Sequence, residues 1–308
     1  MAYRNLLSFV LLAAVWGSAF VGIKAGLDFF PPVLFAAFRF DVASVLMLGY
    51  AAYAADRFRP RTAGEWWLVA VGSVFLIAGY HALLFVGEQG TTSAAAAVIV
   101  SLSPVLTTAF ARGLLPDERL TLAGLVGMAL GFVGVVVLAQ PDFENLLAGD
   151  LLAEGLVLAA AVAFALGSVL TRRSESRLPV ETLEAWSMLG GALWLHAGSL
   201  AIGESPAAVR WTAEAAGALA YLAVVPSAVG FLLYFYLLDR LGPVEINLVS
   251  YVAPIFAALI GFALLGEVVD AATVVGFAIV CSGFALLKHR AIAAEWPHIR
   301  AVLGGSGR

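Results

Sequence analysis

Ten stretches of this chain are almost wholly apolar, and each holds the roughly twenty residues that a helix needs to cross a bilayer core. They run 6–27, 32–54, 66–86, 93–115, 120–139, 150–171, 182–202, 214–238, 244–265 and 270–288. Inside lipid no water replaces a lost backbone hydrogen bond, so only helices and closed barrels can span it. These stretches are too long for barrel strands and lack their alternation of apolar and polar residues. Composition closes off a soluble alternative. Hydrophobic residues make up 62% of the chain and charged residues 12%, against about 45–50% and about 25% in soluble domains. The expected fold class is an all-α membrane protein with ten transmembrane helices. Leu6 to Leu27 exceeds the roughly 7–15 residues of a signal-peptide core, so it reads as an uncleaved first helix.

Short connections carry turn residues, among them Pro31-Pro32, Gly87 to Gly90, Pro116-Asp117 and Gly242-Pro243. Lysine and arginine in these connections set the direction of insertion. With the N-terminus cytoplasmic, the inner side receives Arg4, Arg57, Arg59, Arg61, Arg112, Arg119, Arg172, Arg173, Arg177, Arg240, Lys288, Arg290, Arg300 and Arg308, which is 14 of the 17 cationic residues. The outer side receives Arg210, while Lys24 and Arg39 fall inside helices. The expectation is therefore a multi-pass protein of the cell membrane with both termini cytoplasmic. The net charge of −4 and the lack of a basic patch argue against nucleic acid as a partner. The lone cysteine, Cys281, excludes an intrachain disulfide.

The chain also repeats itself. "SLSPVLTTAFARGLLPDE" at 101–118 is echoed by "YVAPIFAALIGFALLGE" at 251–267, with Pro104 and Pro254 lying 150 positions apart. Gly17-Ser18 matches Gly167-Ser168 at the same spacing, and Gly127 and Gly134 match Gly276 and Gly283 at 149. Two halves follow, 6–139 and 150–288, with a cytoplasmic tail at 289–308. Five helices per half is an odd number, so the second half enters the membrane in the opposite sense. This is the inverted-repeat (5+5) plan of secondary transporters, whose site lies between halves near mid-membrane. Pro104 and Pro254 each sit roughly 15 Å deep, where a proline removes a backbone donor and frees a carbonyl one turn back. They are candidate hinges; the alternative is that they merely bend their helices.

"WGSAFVGIKAG" from Trp16, "FFPPVLFAAFRF" ending at Phe40, and "SLSPVLTTAFARGLLPDERLTLAGLVGMALGFVGVVVL" resemble an EamA-type half. "LDRLGPVEINLVSYVAPIFAALIGFALLGEVVDAATVVGFAIVCSGFALL" is similar to the same pattern, so the chain resembles an EamA-type transporter of the drug/metabolite transporter superfamily over residues 6 to 288. The second half departs at Val268-Val269-Asp270, where the first reads Arg119-Leu120-Thr121. The resemblance implies a secondary transporter, often an exporter of amino acids or other small metabolites, with a central cavity between the halves. It implies a small-molecule substrate and no cofactor.

Ionisable side chains inside membrane helices are expensive and mark candidate sites. Arg39 lies seven residues into its helix, as a structural ion pair or as a substrate or coupling group. Asp41 and His81 are candidates for coupling transport to a proton, and His81 is also a candidate cavity residue. His196 could relay a proton too, and for each histidine the competing, favoured reading is a hydrogen-bonded structural residue. Asp41 and Arg39, two positions apart, should not share a helix face. Lys24 is expected to snorkel to the interface. Glu118 and Glu267 are expected to shape loops. Trp16, Tyr80, Phe164, Tyr234 and Tyr251 are candidate cavity aromatics, joined by Ser18, Ser101, Ser168 and Asn247 as polar lining. For Asn247 and Glu245, helix capping is the competing reading. Gly124, Gly127, Gly131 and Gly134 share one face and suit close helix packing. No metal-ligand spacing, nucleophile motif or phosphate loop supports an enzyme, and no ring of charged residues supports a channel.

Overall fold

The computed structural model describes residues 2–114, 122–139, 149–174, 176–241, 246 and 248–287. Helices are numbered in chain order: α1 Ala2–Leu27, α2 Pro32–Ala54, α3 Ala63–Glu88, α4 Ser93–Leu114, α5 Leu122–Ala139, α6 Gly149–Arg173 and α7 Val180–Ala201. Next come α8, from Ala213 to Leu241, then α9 Val249–Leu265 and α10 Ala271–Leu287. Among the described residues there is no strand. Six helices, α1 to α4, α6 and α8, contain stretches long and apolar enough to cross a membrane, and α5, α9 and α10 contain shorter apolar ones. Large apolar side chains cover the outside, including Leu259 at 61% exposure, Phe262 at 66% and Leu264 at 73%. Such a surface suits lipid and would aggregate in water.

Several helix ends differ from the sequence expectation for local reasons. α3 begins at Ala63 rather than 66 because Thr62 and Glu65 form a capping box. Glu65 also accepts from the Arg61 amide and pairs with Arg57 at 2.6 Å. α4 is interrupted at Ser101 and Leu102, just before Pro104. Proline cannot donate to the carbonyl of Val100, and the Ser103 hydroxyl takes that role at 2.7 Å. Pro254 lies inside an unbroken α9. The two prolines that look equivalent in sequence thus sit in different backbones.

A second pairing was not visible in the sequence. α3 winds as a π-helix over Gly72–Gly79, and α8 does so over Ala223–Val229, the corresponding stretch of the other half. Only α8 carries a proline there, Pro226. π turns in membrane helices often mark functional positions.

The two halves pack with their equivalent helices against each other, α5 on α10, α2 on α7 and α4 on α9. The remaining contacts keep the same symmetry: α1 lies on α8 and α9, while α6 lies on α3 and α4. Equivalent helices run antiparallel. A methyl group on Gly134 would strike the backbone of Gly276, and one on Gly283 would strike Gly127 and Gly131, so residue numbers rise on α5 as they fall on α10. At the other seams Glu267, just past α9, binds the start of α4, and Glu204, just past α7, binds the start of α2. Lipid supplies no hydrophobic force between helices, so small residues that let backbones touch hold such seams by dispersion. The glycines on α5 serve that purpose at Gly127, Gly131 and Gly134.

Candidate functional site

Pro32 stands at the first turn of α2, where its missing N–H costs nothing. The Glu204 carboxylate accepts from the Val33 and Leu34 amides at 3.1 and 2.7 Å, which fixes the N-terminal end of the helix. Two turns further in, Arg39 is only 5% exposed. Its Nε donates to Ser227 Oγ at 3.0 Å, and that hydroxyl donates onward to the Leu222 carbonyl at 2.9 Å. Leu222 lies five residues before Ser227, immediately before the π turn of α8 that contains the serine. The π turn therefore presents the serine that joins the two halves at Arg39.

The guanidinium also lies 5.3 Å from the Phe40 ring and 6.0 Å from Phe85, within the range of cation–π attraction. No hydrogen bond to its Nη1 or Nη2 occurs among the described residues. Arginine has five donors and cannot shed its charge, so most of this fork is open to an anion.

Around Arg39 the first half supplies a polar and aromatic wall. His81 packs against Phe40 at 4.4 Å and Tyr80 at 4.6 Å. Its Nδ1 lies 2.8 Å from the Ile77 carbonyl; a carbonyl only accepts, so Nδ1 carries a hydrogen. Tyr80 meets Phe164 of α6 at 5.4 Å. One turn beyond Phe85 on α3 comes Glu88, fully buried, with neither carboxylate oxygen hydrogen-bonded. Lys24 is not free to snorkel: its Nζ donates to the carbonyls of Glu88, Gln89 and Thr91 and straps the α3–α4 turn to α1.

The other candidates distribute around this centre. Trp16 lies tilted against Tyr234 at 5.5 Å and edge-on to Phe231 at 6.1 Å, a second aromatic cluster between α1 and α8 that mirrors the one between α6 and α3. Ser18 shares a hydrogen bond of 2.5 Å with the Tyr221 hydroxyl. Ser101 is buried in the α4 interruption and donates to the Val98 carbonyl, and Ser168 donates to the Phe164 carbonyl. Tyr251 stacks on Phe284 at 4.3 Å, with its hydroxyl buried and unpartnered among the described residues. Asp41 faces away from Arg39, as their spacing requires, and meets His196 Nε2 at 2.8 Å on the α2–α7 seam, with its side chain 46% exposed. Glu267 accepts from the Ser93 amide and hydroxyl and caps α4. Asn247, Glu245 and Glu118 lie outside the described residues.

Arg39, His81, Ser227 and Glu88 are each less than a tenth exposed, so the centre is closed in this state. Two apolar clefts, of about 300 and 210 Å³, lie elsewhere, between α2, α3 and α7 and between α4, α9 and α10. Glu88 and Ser227 escaped the sequence reading. Glu88 sits past the end of the apolar run, in what reads as a Gly-rich turn, and a lone serine in a membrane helix carries no signal of its own.

A duplicated, antiparallel helical bundle with an arginine buried at the seam between its halves defines a class, that of membrane transporters. The EamA-like transporter family model matches the chain twice, over residues 4–140 and 151–288. This chain belongs to that family. It is 29% identical over 285 residues to a protein of Streptantibioticus cattleyicolor named a probable terminal-alkyne amino-acid exporter, covering 92% of this chain and 93% of that one. It is also 29% identical over 273 residues to the uncharacterized inner membrane transporter YedA of Escherichia coli K12, with 87% and 86% covered. A transporter of Archaeoglobus fulgidus, itself uncharacterized, shares 26% over 284 residues, covering 91% and 97%. A solved crystal structure superposes with a TM-score of 0.66 at 22% identity, over 95% of this chain and 99% of that one, and has the same fold.

Proposed function

We propose that this protein is a secondary active transporter that crosses the cell membrane ten times with both termini cytoplasmic. In this reading it exports small metabolites, amino acids among them, by alternating access, and does no chemistry on them. The observation that carries the proposal is Arg39. A buried guanidinium with one hydrogen bond and open Nη donors is costly unless an anion completes it. Its planar fork matches a carboxylate, and its partner Ser227 belongs to the other half. Substrate bound there would touch both repeats and bias their rocking. The interruption of α4 before Pro104, with Pro254 in α9, supplies the bend. Cations gathered on the inner side support the orientation, and the amino-acid exporter among the relatives favours a substrate carrying a carboxylate.

The test is a flux screen of purified protein in liposomes with labelled amino acids, with and without a pH gradient. Saturable uptake with counterflow is expected, as a carrier gives and a pore does not. Arg39→Lys keeps the charge but loses the fork. Loss of one charge-assisted hydrogen bond, about 1.5–3 kcal/mol, should raise KM roughly tenfold to a hundredfold. An unchanged KM in a folded Arg39→Lys protein would exclude the carboxylate site.

A further inference from the structure

We propose that Glu88 carries either a proton or the ammonium group of the substrate, and that this exclusion makes the protein a proton antiporter. The idea rests on the transport reading above and adds the counter-ion and the substrate's charge pattern to it.

Glu88 is 0% exposed and both of its oxygens lack a hydrogen bond among the described residues. A carboxylate in that position would have surrendered its hydration with nothing to replace it. A proton on one oxygen removes the charge, so burial without a partner suits the protonated form of Glu88. Phe85 and Glu88 are three residues apart and share a face of α3. Arg39 stands over Phe85 at 6.0 Å, which places Glu88 one turn further out along the same wall. An α-amino acid presents a carboxylate and an ammonium group side by side. Arg39 takes the first and Glu88 the second, after releasing its proton to water.

The charges acting on Glu88 come from three elements: Lys24 on α1, Arg39 on α2, and Glu267 between α9 and α10. α6, whose Ala153 backbone lies against Gly87, contributes Glu154 next in sequence. The first turn of α4 carries no ionisable side chain. Lys24 bonds only backbone carbonyls at this turn and does not pair with the Glu88 carboxylate. Gln89 and Gly90, the next residues, are exposed, so a small movement that frees Lys24 opens Glu88 to the outer solution. There the proton enters as the ammonium leaves. On the inward-facing side the proton departs to the cytoplasm and an amino acid replaces it. One carboxylate cannot hold both, so each outward substrate is exchanged for an inward proton.

The experiment uses the full-length protein in lipid and two variants, Glu88→Gln and Glu88→Asp. Infrared titration without substrate should show a carboxylic-acid C=O band at neutral pH that Glu88→Gln abolishes and Glu88→Asp retains. With labelled amino acids as probes, wild-type affinity should fall as pH is lowered. Glu88→Gln should lose that dependence, and its KM should rise roughly tenfold or more with the charge-assisted contact. Affinity for the corresponding carboxylic acids without the amino group should be unchanged in Glu88→Gln. A band untouched by Glu88→Gln overturns the proposal, and so does wild-type pH dependence in a folded Glu88→Gln protein. The infrared measurement needs no substrate, so it judges Glu88 even if no amino acid is moved.

Discussion

The α5–α10 seam allows a stability prediction worked from distances. A Cβ built on Gly276 lies 2.5 Å from the Gly134 carbonyl oxygen, and one on Gly134 lies 2.7 Å from that of Gly276. Both obstacles are backbone, which no rotamer change can move. To regain an ordinary 3.4 Å contact the helices must part by roughly 0.7–0.9 Å at this level. A gap of that size forfeits about a quarter to a half of the dispersion energy of each contact it opens, and lipid offers no hydrophobic term to offset the loss. Gly276→Ala should therefore cost about 1–3 kcal/mol, the usual range for overpacking. The double variant Gly134→Ala/Gly276→Ala should cost less than the two single changes together, because one separation accommodates both methyl groups. Gly49→Ala is the control. Nothing lies within 4 Å of its Cβ position, so the alanine should be neutral or gain about 0.5–1 kcal/mol from helix propensity. Melting of the purified protein in one detergent, followed by circular dichroism, compares five proteins: wild type, Gly134→Ala, Gly276→Ala, the double variant and Gly49→Ala. A Gly276→Ala protein that melts at or above the wild type would refute the close packing of this seam.

Two further outcomes are expected. Glu267→Ala removes the acceptor at 3.1 to 3.3 Å from the Ser93 amide and hydroxyl and should lower stability by about 1 kcal/mol, the usual cost of a lost cap; an unchanged melting temperature would exclude that role. In a background without Cys281, an impermeant thiol reagent added outside should label a cysteine placed at Asn145 and spare one at Ser174, and the reverse pattern would invert the proposed orientation.

Each half repeats the other in backbone, yet the chemistry is one-sided. Arg39, His81 and Glu88 all belong to the first half; counted from the matching helix caps, Pro31 with Pro179 and Thr62 with Thr212, the equivalent positions of the second hold Ser187, Phe231 and Leu238. The second half contributes Ser227 and the aromatic cluster of Phe231 and Tyr234. A symmetric scaffold supports rocking between two states, while an asymmetric site needs only one set of charged groups.

The sequence alone determined that the chain is a bundle of lipid-embedded helices in two related halves, because lipid denies the backbone every other solution. It also separated Arg39 from Asp41, since residues two apart on a helix point to different faces. Which of the two faces inward was decided only by tertiary structure. In water one apolar stripe marks the buried side of a helix, but here the outside is lipid and equally apolar, so periodicity is erased. The same loss hid Ser227, whose role exists only because Arg39 of the other half reaches it. The matched π turns are a backbone solution that no residue type announces, with proline in one and none in the other. Glu88 read as part of a solvated turn because its apolar run ends before it. Burial came from α1, α4, α6 and the α9–α10 connection closing over that turn, a contact between segments up to 180 residues apart, which only the fold brings together.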